Sequence, residues 1–142
     1  MSTLEIGWSS SNKRGKLLDF LISGKSLLNV IEKRGFDMVP RLGSALQPTD
    51  TATRALLLLE TTGDMPSGRV ALYVCSECGG YGCGVVSVKI SSDGWSFTWH
   101  DFVWETDYDD NVVSLEKLGP FEFACEQYRE AITTKFVGEE KC

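Results

Sequence analysis

The residues best able to do chemistry lie in one short segment, residues 73–84 (YVCSECGGYGCG), which holds three of the five cysteines and four glycines. Within this cysteine segment, Cys75 and Cys78 have the Cys-x-x-Cys spacing of half a zinc knuckle, because a tight turn lets two thiolates converge. Cys83 supplies a third thiol. A closed structural zinc site needs four ligands, and the candidates for the fourth are His100, Cys125 and Cys142. The sequence thus raises zinc as a cofactor, bound by the three thiols of the segment.

The fourth ligand is the weak point of this zinc site. Asp-Gly at 93–94 is typical of a two-residue hairpin turn. Such a turn places His100, the only histidine, opposite Ser87, four residues beyond Cys83. That separation is about 13 Å at the usual rise of a strand. Ligand counting therefore favours small structural thiols in a glycine-rich turn and no bound cofactor, with zinc as the alternative.

The spacing of Cys75 and Cys78 also occurs in thiol-redox motifs. Those motifs lower the pKa of the first thiol by placing it at the start of a helix. Here glycines at positions 79, 80 and 82 follow at once, and glycine disfavours a helix. A thiol-redox role is therefore kept only beside zinc, as part of the alternative.

Asp101 is the second unusual residue, because the predicted strand 95–104 places it on an apolar face. The other side chains of that face are Trp95, Phe97, Trp99 and Val103. A buried carboxylate needs hydrogen-bond donors. We therefore predict a structural role, in which Asp101 accepts backbone N–H bonds from the cysteine segment and holds it closed. The alternative, a general acid or base, has no partner in the sequence, and no catalytic residue is predicted.

An acidic segment with two aromatic residues follows that strand. Its members are Trp104, Glu105, Asp107, Tyr108, Asp109 and Asp110. Aromatic side chains dominate many binding interfaces, and clustered carboxylates attract basic partners. The segment therefore predicts a contact patch for a basic protein, and a solvated loop is the alternative.

Length and charge limit the classes of function. A chain of 142 residues with 42% hydrophobic and 24% charged residues is expected to fold as a single α+β domain, residues 1–142, with its own core. The net charge of −6 argues against nucleic acid, whose phosphates require a basic face. It favours a basic protein partner, such as a toxin domain, and the alternative is that the charge only keeps the protein soluble.

Targeting and membrane-spanning segments are not recognised in the sequence. The N-terminal residues lack a basic stretch leading into an apolar one, and the longest aliphatic run, residues 55–59, is too short to cross a bilayer. We therefore expect a cytoplasmic protein that does not bind membranes and whose thiols stay mostly reduced. The odd number of cysteines, five, also prevents complete pairing into internal disulfides.

Hydrophobic periodicity predicts an α+β fold, a mostly antiparallel β-sheet with two or three helices packed on it. The central strands are predicted at 69–75, 84–90 and 95–104. Further strands are predicted at 4–8, 16–23 and 121–123, with a buried helical turn as the alternative at 16–23. The helices are predicted at 26–34, 52–59 and 124–136, the first of them capped by Ser26.

Three segments of the C-terminal half resemble a group of small uncharacterised bacterial proteins. In that group an LYVCPECGDLGCG-like segment is followed by a W-x-D-F strand and an LGPF-x-F segment. The matching stretches here are residues 72–84 (LYVCSECGGYGCG), 99–102 (WHDF) and 118–123 (LGPFEF). The resemblance implies a bacterial origin but no mechanism, although the group is sometimes labelled oxidoreductase. It also implies that the position of His100 varies, which counts against a metal ligand there, and Ser76 replaces the usual proline.

These features together predict a non-enzymatic, acidic binding protein. An immunity or antitoxin protein that neutralises a basic toxin domain is one concrete form of it. The alternative is a small zinc-binding or thiol-redox protein that uses Cys75, Cys78 and Cys83.

Overall fold

Two antiparallel sheets and three α-helices form the part of the chain that the computed structural model describes, residues 1–11, 14–42, 51–77 and 80–133. The predicted α+β class is confirmed. The first elements are β1 (Leu4–Ser11), β2 (Gly15–Ile22), β3 (Lys25–Ser26), α1 (Leu27–Lys33), β4 (Val39–Pro40) and α2 (Thr51–Leu57). The remaining elements are β5 (Val70–Val74), β6 (Val85–Ser92), β7 (Ser96–Glu105), β8 (Val112–Ser114), β9 (Phe121–Ala124) and α3 (Cys125–Thr133). None of the described helices has both the length and the apolar character needed to cross a bilayer.

The smaller sheet contains β1, β2 and β3 in sequence order. β1 and β2 form a regular antiparallel hairpin that pairs Leu4 with Ile22 at one end and Ser11 with Gly15 at the other. Ser26 ends β3 and caps α1, since its hydroxyl accepts a hydrogen bond from the N–H of Asn29 at 3.0 Å. The predicted helix start and the predicted strand at 16–23 are both present.

Asp19 of β2 is completely buried at the junction between the two sheets. Its carboxylate accepts hydrogen bonds from the hydroxyls of Tyr73 at 2.8 Å, Ser26 at 2.6 Å and Ser9 at 3.0 Å. Two backbone N–H groups also donate to it, those of Phe20 at 2.7 Å and Leu28 at 3.2 Å. These donors offset the cost of burying a carboxylate, and they join β1, β2, the start of α1 and β5.

The larger sheet has the strand order β4-β5-β6-β7-β8, and β9 also pairs with β7. The hairpin between β6 and β7 is present, but its turn is one residue later than predicted. Ser92 pairs with Phe97, and the N–H of Asp93 bonds to the carbonyl of Ser96, so the turn is centred on residues 94–95. Trp95 is therefore at the tip, 83% exposed, instead of on the apolar face.

A β-bulge in β7 interrupts the predicted alternation of side chains. His100 pairs with Lys89 and Val103 pairs with Ser87, so Asp101 and Phe102 both lie opposite Val88. Asp101 adopts a positive φ of 58°, as bulged residues often do. Phe102 consequently enters the core and Asp101 is exposed.

Trp99 lies at the centre of the core and is completely buried. Its ring makes edge contacts with Phe20 of β2, Phe123 of β9 and Tyr128 of α3. The indole N–H donates to the hydroxyl of Tyr128 at 3.0 Å, and that hydroxyl donates to the carbonyl of Leu57 at 2.6 Å. One aromatic cluster thus joins both sheets to α2 and α3.

The loop before β5 covers the other face of the larger sheet. Met65 is buried there in a second, smaller apolar cluster. The other buried members of that cluster are Val39, Ala71, Val74 and Val85. This loop brings residues 64–69 close to the cysteine and acidic segments.

The predicted helices at 26–34 and 52–59 are α1 and α2, and α3 matches the third as far as the described residues extend.

Candidate functional site

The cysteine segment and the acidic segment lie side by side at one end of the larger sheet. Val85, the first residue of β6, pairs with Glu105, the last residue of β7. A side chain at Gly82 would be 3.8 Å from Oδ1 of Asp107. The two segments that the sequence singled out separately therefore form one surface.

Trp104 connects these segments from the inside. Gly84 has a φ of 103°, and a Cβ atom there would overlap the indole ring of Trp104. The indole ring is half-buried and packs against the hydrophobic core. The backbone of Trp104 pairs with Val86 of β6 on one side and with Val113 of β8 on the other. A glycine at position 84 lets the cysteine segment approach the inner side of the ring, and a contact of Trp104 with a partner stays a prediction.

Glu105 is also not part of the exposed patch, because it is only 3% exposed. Its Oε2 atom accepts hydrogen bonds from the hydroxyls of Ser87 at 2.5 Å and Ser67 at 2.9 Å. β7 continues through Glu105, and the loop before β5 covers its side chain. The prediction that Glu105 contacts a partner as an exposed charge is therefore corrected.

The other four residues of the predicted patch are exposed, as expected. Tyr108 is 71% exposed and is flanked by the carboxylates of Asp107, Asp109 and Asp110. Oδ1 of Asp109 accepts hydrogen bonds from the Thr106 hydroxyl at 3.3 Å and from the N–H of Asn111 at 3.0 Å, which shapes the loop. The loop leads directly into β8, the last strand of the main strand order, where Val112 and Val113 are also exposed.

A cavity of about 220 Å³ opens beside this loop. Its lining includes Ser67, Arg69, Glu105, Asp109, Asp110 and Val112. Sequence reasoning missed Ser67 and Arg69, since they lie far from the acidic segment in the chain. The cavity combines a buried carboxylate with two exposed ones at the same loop.

Asp101 does not fasten the cysteine segment. Its Oδ2 atom forms ion pairs with Arg69 at 2.5 Å and with Lys89 at 3.5 Å, and its side chain is 39% exposed. The hydrogen bond from Arg69 lowers the pKa of Asp101, and both positive charges add to that effect. The predicted role is wrong because the bulge turns this side chain away from the core face.

Asp64, and not Asp101, is the carboxylate that bonds to the cysteine segment, through the side chain of Tyr81 and not through backbone N–H groups. Its Oδ2 accepts hydrogen bonds from the hydroxyl of Tyr81 at 2.5 Å and from Arg41 at 2.9 Å, and its Oδ1 accepts from the N–H of Ala71 at 3.0 Å. Burial and the bond to Asp64 raise the pKa of Tyr81 to about 12. A carboxylate therefore does hold the cysteine segment, but it comes from the loop before β5.

A second contact holds the start of the cysteine segment. Arg14 donates to the hydroxyl of Ser76 at 2.7 Å and forms an ion pair with Asp37 at 2.6 Å. Neither Arg14 nor Asp64 carries a local sequence signal, because each contact joins residues distant in the chain.

The proposed zinc ligands are only partly placed by the structure. Cys75 is half-buried just after β5, and Cys83 is exposed at the end of a 3₁₀ turn (Tyr81–Cys83). Cys78 and Cys142 lie outside the described residues. The residues that follow Cys75 in the described chain, 76–77, form a turn and not a helix. Within the part of the chain that the structure describes, no group of three His, Cys, Asp or Glu is arranged to hold a metal ion.

Two of the candidates for a fourth ligand, His100 and Cys125, fit zinc poorly. His100 pairs with Lys89, six residues beyond Cys83, and lies 3.5 Å from the hydroxyl of Ser91. Cys125 begins α3 and is disulfide-bonded, so its sulfur is not available as a thiolate. A disulfide also differs from the reduced thiols expected of a cytoplasmic protein, and the compartment itself stays a prediction.

Comparison of the chain with protein-family models, with curated proteins and with solved structures finds no match. The resemblance of the C-terminal half to small bacterial proteins therefore stays a prediction.

Proposed function

We propose that this chain is a non-enzymatic binding protein that recognises a basic protein partner. The observation that carries the proposal is Tyr108, which is 71% exposed among the exposed carboxylates of Asp107, Asp109 and Asp110. Tyrosine supplies a large contact area at a low cost in conformational entropy. The surrounding negative charge attracts and orients a positive partner.

The strand that follows extends this surface with apolar area. Val112 and Val113 are exposed on β8, which is last in the main strand order. We call the combined region the acidic surface, and its members are Asp107, Tyr108, Asp109, Asp110, Val112 and Val113. An aromatic and aliphatic centre with charged neighbours is the usual composition of a protein interface.

The concrete form that we propose is an immunity or antitoxin protein of a bacterial cell, which neutralises a basic toxin domain. The net charge of −6 complements such a partner, because long-range attraction accelerates the association of oppositely charged proteins. The cytoplasm is the compartment that we propose for this function.

Affinity capture with matched variants tests the proposal. Immobilised wild-type chain and its Tyr108→Ser variant are exposed to a lysate of the source organism, and bound proteins are identified by mass spectrometry. We expect a basic protein that the wild type retains and that Tyr108→Ser loses by about tenfold or more. Its affinity, measured with purified partner, should decrease as salt increases.

Trp95→Ser is the control, because it removes an aromatic side chain that is even more exposed than Tyr108 and lies just before the opposite end of β7. It should retain the partner fully. Equal retention by both variants would place the contact elsewhere and overturn the proposal. For the immunity function, co-expression of the chain should restore growth to cells that produce the captured partner, and Tyr108→Ser should fail to do so.

A further inference from the structure

The cavity beside the acidic surface contains a carboxylate oxygen that is left without a donor. Glu105 is almost completely buried, and both hydrogen bonds from Ser67 and Ser87 go to its Oε2 atom. Its Oε1 atom receives no hydrogen bond from the residues that the structure describes, and the side chain lines the cavity. This oxygen is open to the cavity and is not enclosed by protein atoms, so the floor offers an acceptor to a ligand that supplies N–H groups.

The charges around the cavity favour a positive ligand. Asp109 and Asp110 add two carboxylates at the mouth, and Arg69 is the cation in the lining. The guanidinium of Arg69 is already engaged, since it donates to the carboxylate of Asp101 at 2.5 Å and to its carbonyl at 3.3 Å. Three carboxylates therefore face the cavity against one paired positive charge.

The size of the cavity suits one side chain. Pockets for drug-sized ligands measure about 300–1,000 Å³, and this one has about 220 Å³. Pro66 and Val112 add apolar lining. Such a wall can pack against the methylene stem of a long basic side chain, whose charged end reaches the polar floor.

We propose that this cavity binds a single lysine or arginine side chain of the partner, with its N–H groups donating to Oε1 of Glu105. This inference rests on the proposed function, because it assigns the partner's basic residue to a place beside the acidic surface. The exposed carboxylates of Asp109 and Asp110 guide the cation into the mouth, and the buried carboxylate of Glu105 binds it.

Titration of the ¹⁵N-labelled full chain with single-residue probes tests the cavity directly. The probes are N-acetyl-arginine amide and N-acetyl-lysine amide, and the control is N-acetyl-citrulline amide, which has the shape of arginine without its charge. We expect saturable shifts of the amide signals of Ser67, Thr106 and Val112 with a dissociation constant on the order of 1 mM. Citrulline should produce no saturable shift.

Two variants assign the binding to the carboxylates. Glu105→Gln should weaken binding of the better probe by about tenfold or more, and Asp110→Asn, at the exposed mouth, by about two- to threefold. Glu116→Gln removes an exposed carboxylate outside the cavity and should leave the affinity unchanged. If Glu105→Gln does not fold, the probe affinities of Asp110→Asn and Glu116→Gln are compared instead. Equal affinities of these two variants would then overturn the proposal.

The proposal is overturned if neither cationic probe gives saturable shifts at these amides, or if citrulline binds equally well. It is also overturned if Glu105→Gln folds and binds the probe with wild-type affinity. These outcomes differ from failure of the proposed function. If a captured partner binds Glu105→Gln as well as it binds the wild type, the cavity proposal fails while the proposed function of the acidic surface stands. If the probes bind but no partner is captured, only the cavity proposal is supported.

Discussion

The hydroxyl of Tyr73 donates a 2.8 Å hydrogen bond to the buried carboxylate of Asp19, across the boundary between the two sheets. Tyr73 is the first residue of the cysteine segment, so this bond fixes where that segment leaves the core. Burial is the largest cause of the pKa of Tyr73 being well above its ordinary value, and the neighbouring Asp19 adds to it. The phenol therefore remains a donor to the carboxylate over the whole neutral range.

Asp19→Ala is expected to lower the free energy of unfolding by at least about 3 kcal/mol, because it leaves several buried donors without an acceptor. Tyr73→Phe removes one donor and should cost about 1–2 kcal/mol. Urea unfolding followed by circular dichroism measures both. Equal midpoints for Asp19→Ala and the wild type would show that this junction does not stabilise the fold.

Tyr81 predicts a loss of stability at high pH. Its pKa is raised to about 12 in the folded state by burial and by Asp64, so the neutral phenol is favoured by folding. The corresponding stability is fully present below pH 10 and is lost as the pH rises from 10 to 12. The free energy of unfolding of the wild type should therefore fall more than that of Tyr81→Phe as the pH rises through this window.

The phenolate absorbance provides the second measurement for Tyr81. The difference between the alkaline titrations of the wild type and Tyr81→Phe should give one transition near pH 12. A transition near pH 10, the ordinary value for tyrosine, would contradict the contact with Asp64.

Gly84 should be intolerant of a side chain. Gly84→Ala combines a positive φ with overlap on the Trp104 ring, whereas Gly94→Ala has a positive φ and open space. The strained backbone alone costs roughly 1–2 kcal/mol, and overpacking adds about 1–3 kcal/mol. Gly84→Ala should therefore be the more destabilised of the pair in urea, and the near-ultraviolet signal of tryptophan should change only there.

Asp101 is expected to contribute little to stability. Asp101→Asn should lower the free energy of unfolding by less than about 1 kcal/mol, because the ion pairs with Arg69 and Lys89 are partly exposed. Since its folded pKa is lowered, this contribution is present above the ordinary pKa of Asp and is lost as the pH falls below it.

The positive φ of Asp101 makes alanine the sharper variant. Asp101→Ala should cost about 1 kcal/mol more than Asp101→Asn, because asparagine tolerates this conformation better than alanine does. Asp101→Gly should recover that difference. Unfolding of Asp101→Asn at room temperature would contradict this expectation and support the predicted role of Asp101 in holding the cysteine segment closed.

Metal analysis decides between the two classes of function. Protein purified without chelator should contain far less than one zinc per chain, and EDTA should leave its melting temperature unchanged. The reason is that Cys125 is disulfide-bonded and His100 pairs far along β6 from Cys83. One zinc per chain, lost together with stability on chelation, would favour the alternative protein class.

Periodicity predicted most of the elements because their apolar faces are regular. α1 begins after its predicted cap, Ser26. The hairpin of β6 and β7 was also predicted, and only the position of its turn differs, by one residue. The error of one residue in that turn moved His100 by two positions along its partner strand, which shows how strongly register depends on turn geometry.

The contacts that position the site could not be predicted, because they join residues far apart in the chain. Tyr73 and Asp19 are separated by 54 positions, and Glu105 and Ser67 by 38. The charge of Glu105 suggested exposure, and nothing local indicated the loop that covers it. Asp101 did carry a signal in the sequence. A single carboxylate among the apolar residues of one strand face indicates either a buried charge or an interruption of the alternation of side chains. The bulge shows that the alternation is interrupted.

That bulge has a consequence for changes in chain length. In a regular strand, removing one residue exchanges the inward and outward sides of everything beyond the deletion. Removing Asp101 instead converts the bulge into regular pairing and leaves Trp99, Phe102 and Trp104 directed to the same side. Asp101 is therefore a position of β7 where a natural or engineered deletion can be absorbed.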